Sequence, residues 1–129
     1  MDITAIDLKN SDRFTIQKNQ ITDLGTGYSN SYGISIYNCS AIQASFSVIQ
    51  NNTIISEVGN GLTISNSDKT FVNHNTIFTK RNACNILSSS HLNFYNNIFK
   101  AKEDYAVIIE NSPTNITLDY NLYNVAKEM

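Results

Sequence analysis

Apolar and polar residues alternate along this chain in short runs, as in Ile6/Leu8, Ile34/Ile36 and Leu62/Ile64. Period two predicts extended strands with one buried face. β-Branched and aromatic residues fill these runs, and strong helix formers are scarce in them. A second phrase follows each run: an apolar pair, a short polar link, then Asn-x-apolar. It reads Phe14-Thr15-Ile16-Gln17-Lys18-Asn19-Gln20-Ile21, then Val48-Ile49-Gln50-Asn51-Asn52-Thr53-Ile54. It returns as Phe71-Val72-Asn73-His74-Asn75-Thr76-Ile77, as Phe94-Tyr95-Asn96-Asn97-Ile98-Phe99, and as Leu118-Asp119-Tyr120-Asn121-Leu122-Tyr123.

The units begin at Ala5, Gly33, Gly61, Ala83 and Ala106, so the period runs from about 22 to about 28 residues, one coil of a solenoid. Each unit holds three strands. The first ends near Leu8, Ile36, Ile64, Ile86 and Ile109. The second ends near Ile16, Ile49, Val72, Phe94 and Leu118. The third centres on Ile21, Ile54, Ile77, Phe99 and Tyr123. Turns this short do not let the three strands pair as hairpins within a unit. They wrap into a coil and pair with the same strands of the next coil, about 4.8 Å away. The expected fold is therefore all-β: a parallel β-helix of about five coils, one domain over residues 1–129. Asn19, Asn52, Asn75, Asn97 and Asn121 become a ladder of amides at a sharp bend, where asparagine tolerates a left-handed backbone and its side chain both donates and accepts. A sandwich would need hairpin turn signals, and a leucine-rich repeat would need several leucines per unit and a helical back.

The phrases Gly33-Ile34-Ser35-Ile36-Tyr37-Asn38 and Phe14-Thr15-Ile16-Gln17-Lys18-Asn19-Gln20-Ile21 resemble the right-handed parallel β-helix repeat of the pectate-lyase-like superfamily. The resemblance spans Ala5 to about Asn124. It implies polysaccharide lyases, glycoside hydrolases, alginate epimerases and copper-related periplasmic proteins of the NosD type as relatives. Asp119-Tyr120-Asn121-Leu122-Tyr123 is similar to a phrase near the end of such helices in bacterial surface proteins. The resemblance implies an extracellular or cell-envelope location, and no signal peptide is legible at the start of the chain. The repeat specifies the fold more tightly than the chemistry, because its residues are scaffold.

The chain has 129 residues and a net charge of −2, so a basic nucleic-acid footprint is missing. No apolar run approaches the roughly 20 residues of a membrane span. No capping helix is legible at either end, and the chain reads as a segment of a longer helix or as a module that self-associates through its ends. Cys84 falls in an interior column with Ile34, Leu62 and Val107, and Cys39 in a column with Ser11, Ser67, Ser89 and Ser112. Two coils apart, about 9.6 Å, they are too distant for a disulfide. They read as free structural thiols.

Four features carry candidate chemistry. Insertions at 22–32 and 40–45 lengthen two turns, where function concentrates in solenoids. Lys80, Arg81, Lys100 and Lys102 stand one coil apart and could neutralise a uronate and take its α-proton, the catalytic set of a polyuronate lyase or epimerase. Glu103 and Asp104 beside them offset that field. No close pair of carboxylates suits a hydrolase: Asp12 and Asp68 are two coils apart, and Glu110 and Asp119 lie on different strands. His74 faces outward in a row with Lys18, Asn51, Asn96 and Tyr120, and His91 falls in a turn; neither has ligand spacing. No cofactor is read, with calcium on Asp and Asn oxygens left open. Outward rows of Tyr37, Gln50, Asn73 and Tyr95 suit the hydroxyls and apolar faces of a sugar. The leading expectation is a segment of a bacterial carbohydrate-active or cell-surface protein that binds an extended polysaccharide on a polar sheet face. A lyase and a structural spacer are the alternatives.

Overall fold

In the computed structural model, residues 3–22, 31–40, 46–111 and 113–125 are described. They form fifteen strands. In chain order these are β1 (Thr4–Lys9), β2 (Thr15–Gln17), β3 (Gln20–Thr22), β4 (Tyr32–Tyr37), β5 (Ser47–Gln50), β6 (Thr53–Ile55), β7 (Asn60–Ser65) and β8 (Asp68–Asn73). Then come β9 (Thr76–Thr79), β10 (Cys84–Leu87), β11 (Ser90–Tyr95), β12 (Ile98–Ala101), β13 (Val107–Glu110), β14 (Thr114–Asp119) and β15 (Leu122–Val125). Every third strand pairs with the next of its kind. The first sheet is β1-β4-β7-β10-β13, the second β2-β5-β8-β11-β14, and the third β3-β6-β9-β12-β15. All the pairings between these strands are parallel, as a wound coil requires and a hairpin forbids.

Registers follow the repeat read from the sequence. Leu8, Ile36, Ile64, Ile86 and Ile109 stack in one column. Ile16, Ile49, Val72, Phe94 and Leu118 form the second. Ile21, Ile54, Ile77, Phe99 and Tyr123 form the third. The three columns meet in the core, where Ile36, Ile64, Ile86, Phe94 and Phe99 are fully buried. Each such side chain contributes about 1.5–3 kcal/mol by leaving water. Gly33 and Gly61 open two of the coils because the third column leans against them. A Cβ at Gly33 would sit 2.7 Å from Ile54 Cγ2, and one at Gly61 would strike Ile77 and the Ala83 carbonyl.

The asparagine ladder is complete. Nδ2 of each residue donates to Oδ1 of the next, from Asn19 through Asn52, Asn75 and Asn97 to Asn121, at 2.9–3.0 Å. The remaining amide proton goes back to a main-chain carbonyl one coil earlier, on Ile16, Ile49, Val72 and Phe94. Asn52, Asn75 and Asn97 are buried, and every one of their polar groups is paired.

One expectation is corrected here. The left-handed backbone falls on the residues just before the ladder, not on the ladder asparagines. Lys18, Asn51, His74, Asn96 and Tyr120 have φ between 53 and 58°. The bend turns these exposed side chains outward and frees the following asparagine to point inward. A second left-handed row holds Asn10, Asn38, Asn66, Ser88 and Asn111. A third, not foreseen, holds Lys69, His91 and Asn115, which the pairing of β8, β11 and β14 skips over. His91 therefore sits within β11 as an outward kink rather than in a turn.

Candidate functional site

The outer face of the second sheet carries two parallel rows. One is Thr15, Val48, Phe71, Asn93 and Thr117; the other is Gln17, Gln50, Asn73, Tyr95 and Asp119. Alternation along each strand sends these residues outward because their neighbours Ile16, Ile49, Val72 and Phe94 fill the core. Gln50 Nε2 donates to Gln17 Oε1 at 2.9 Å, so the row begins with two amides locked together. Phe71 packs on Phe46 with ring centroids 4.4 Å apart, which makes an apolar platform beside the polar row. Asn73 Oδ1 and Asp68 Oδ1 are buried oxygens without a hydrogen-bond partner among the described residues.

Of the four sugar-binding candidates, the structure brings together Gln50, Asn73 and Tyr95 as consecutive members of one row. Tyr37 stands apart. It ends β4 on the first sheet, in a row with Lys9, Ser65, Leu87 and Glu110, on the far side of the Asn38 corner. A single site holding all four side chains is not formed.

The basic cluster lies where the third sheet turns into the first. Lys80 Nζ is 3.7 Å from Glu103 Oε1, Lys102 Nζ is 3.4 Å from Glu57 Oε2, and Arg81 Nε donates to Asp104 Oδ2. Lys100 Nζ lies 4.8 Å from the centre of the Phe78 ring. Lys80 and Arg81 thus face acids on the next coil, Lys102 reaches an acid two coils away, and Lys100 lies on an aromatic face. Such partners compete with an incoming uronate for the same charges. Glu110 and Asp119 lie on β13 and β14, two different faces.

Cys39 and Cys84 are free and buried. Burial pushes the Cys84 thiol well above its ordinary range. Cys39 continues the hydroxyl row: its N–H donates to Ser67 Oγ, and the Ser67 N–H donates to Ser89 Oγ. Residues 23–30 and 41–45 of the insertions at 22–32 and 40–45, and Ser112 of that row, lie outside the described residues. Among the described residues no three His, Cys, Asp or Glu side chains gather as a metal site, and no helix is long and apolar enough to cross a membrane. His91 Nε2 stands 3.2 Å from Asn115 Nδ2, within the third left-handed row.

Three parallel sheets wound in register, with an amide ladder along one corner, define a β-solenoid. The chain matches the family model of the right handed beta helix region over residues 2–128, and it belongs to that family. No curated protein and no solved structure matches it.

Proposed function

We propose that this protein binds an extended polysaccharide along the outer face of its second sheet, outside the cell or in its envelope. The observation that carries this reading is the row Gln17, Gln50, Asn73, Tyr95 and Asp119, held in parallel register over five coils. Amides both donate to and accept from sugar hydroxyls, and aromatic rings cover the apolar faces of pyranoses. Phe71 and Phe46 extend that apolar surface alongside. The acids facing Lys80, Arg81 and Lys102 favour binding over proton abstraction by these cations. Affinity electrophoresis through gels loaded with neutral or uronate polysaccharides tests the reading. Retardation by at least one polymer is expected, and Tyr95→Ala should at least halve it. Free migration through every gel would remove the proposal. New absorbance from an unsaturated uronate, abolished by Arg81→Ala, would restore the lyase.

A second reading, assembly between copies, is favoured by one specific observation. In the fifth coil the interior-column residues Ile109, Leu118 and Tyr123 are 44%, 39% and 44% exposed. In the first coil Leu8, the counterpart of Ile109, is half-buried, and Ile16 and Ile21, the counterparts of Leu118 and Tyr123, are 8% exposed. Sedimentation velocity across a hundredfold concentration range separates this reading from simple binding.

A further inference from the structure

We infer that the first sheet carries a separate binding site, a groove between Tyr32 and Tyr37 that takes a neutral oligosaccharide lying along the strands. The groove has a volume of about 400 Å³ and is lined by Thr4, Asp7, Lys9, Tyr32, Ser35 and Tyr37. Parallel register places these residues as three cross-strand pairs between β1 and β4: Thr4 with Tyr32, Asp7 with Ser35, and Lys9 with Tyr37. The two tyrosines are five positions apart on one strand, which spans about 17 Å at the rise of extended chain. The site therefore runs across the solenoid, whereas the row on the second sheet runs along it.

The lining selects the ligand class. Tyr37 is 48% exposed at one end, and the half-buried Tyr32 stands at the other. The volume falls within the usual range of small-molecule sites. Tyrosine rings offer faces to the C–H groups of a pyranose while their hydroxyls stay available for hydrogen bonds. On the floor, Ser35 donates or accepts, and the Asp7 carboxylate accepts from hydroxyl groups. Lys9 Nζ lies 3.1 Å from Asp7 Oδ2, so the floor carries one charge of each sign. That balance gives no net pull on a uronate or a phosphate. It also removes the unopposed anion that an aromatic cage for quaternary ammonium would use. A ligand rich in hydroxyls and free of net charge satisfies all of these groups at once.

The site lies on a different sheet from the polysaccharide face, and the two stand or fall separately. Titration calorimetry of the full chain, with cellotriose, maltotriose, mannotriose and xylotriose as neutral probes, tests the groove; trigalacturonate and choline serve as charged ones. At least one neutral trisaccharide should bind. Tyr37→Ala should weaken it at least tenfold and Asp7→Asn severalfold. Tyr37→Phe should stay within threefold. Amide chemical shifts of the unmutated chain settle the location even where a variant fails to fold. Perturbation is expected at Tyr32, Ser35 and Tyr37. Binding confined to Gln50, Asn73 and Tyr95 would overturn the groove while leaving the polysaccharide face intact. Binding of trigalacturonate or choline alone, or of no probe at all, would overturn it too.

Discussion

Two stacks of asparagine run the length of adjoining corners, and they do different things. One, from Asn19 to Asn121, is walled in by the core, and its three middle members are 1% exposed. The other, at the corner between the first and second sheets, lies in water. There Asn38 Nδ2 donates to Asn10 Oδ1 at 2.6 Å, and Asn66 Nδ2 to Asn38 Oδ1 at 3.1 Å. Judged by bond length alone, the two stacks look equivalent. The cost of losing a bond separates them. A buried amide that loses its partner keeps an unpaid desolvation penalty, whereas an exposed one turns to water. The exposed stack gives way to Ser88 in the fourth coil, while the buried one stays asparagine through all five.

The largest effect should come from breaking the buried stack at its middle. Asn75→Ala removes four hydrogen bonds and leaves the Asn52 N–H and one proton of the Asn52 amide without their acceptor. A loss of about 3–5 kcal/mol is expected from unsatisfied buried groups at 1–3 kcal/mol each. Urea unfolding measures it, and a loss below 1 kcal/mol would erase the distinction between the stacks.

A buried group with no ladder sharpens the point. The Cys84 thiol is held in its neutral form by burial, so its folded pKa lies above the ordinary value of 9.0. The unfolded chain then releases this proton first as pH rises. Stability is full below the ordinary value and falls above it, by about 1.4 kcal/mol per pH unit at most. Cys84→Val should flatten that alkaline slope in unfolding curves taken from pH 8 to 10. An unchanged slope would assign the loss to other groups.

The smallest effect belongs to the exposed stack. Asn66→Gly deletes one of its amides but keeps a residue at ease with the φ of 48° found there. Stability should stay within about 0.5 kcal/mol of the original, as for surface sites without special contacts. A loss comparable to that of Asn75→Ala would mean that exposure does not set the cost.

The repeat made most of this fold readable in advance. Side chains at Ile36, Ile64 and Ile86 recur with a fixed offset from the next asparagine, and parallel pairing converts that offset into a column. Backbone conformation was less readable. The ladder asparagines were expected to take the left-handed bend, yet the residue before each does so, and it is asparagine only at Asn51 and Asn96 and otherwise Lys18, His74 or Tyr120. The kinks at Lys69, His91 and Asn115 left no mark in the hydrophobic pattern, since they add an outward residue without disturbing the inward ones. The candidate sites were legible only by row. Gln50, Asn73 and Tyr95 share one because a strand position fixes it. The groove beside Tyr37 depends on Asp7 and Tyr32, 25 positions apart in the chain, and on how side chains tilt over the sheet. No spacing rule encodes that tilt.

Along the ladder each amide hands one proton to the next amide in the same sense, from earlier coil to later. The stack therefore has an arrow. Asn19 has an oxygen facing back along the axis, and Asn121 a proton facing forward. Two such columns brought together tail to tail would set donor against donor, so only a coil wound in the same direction extends the series without a break.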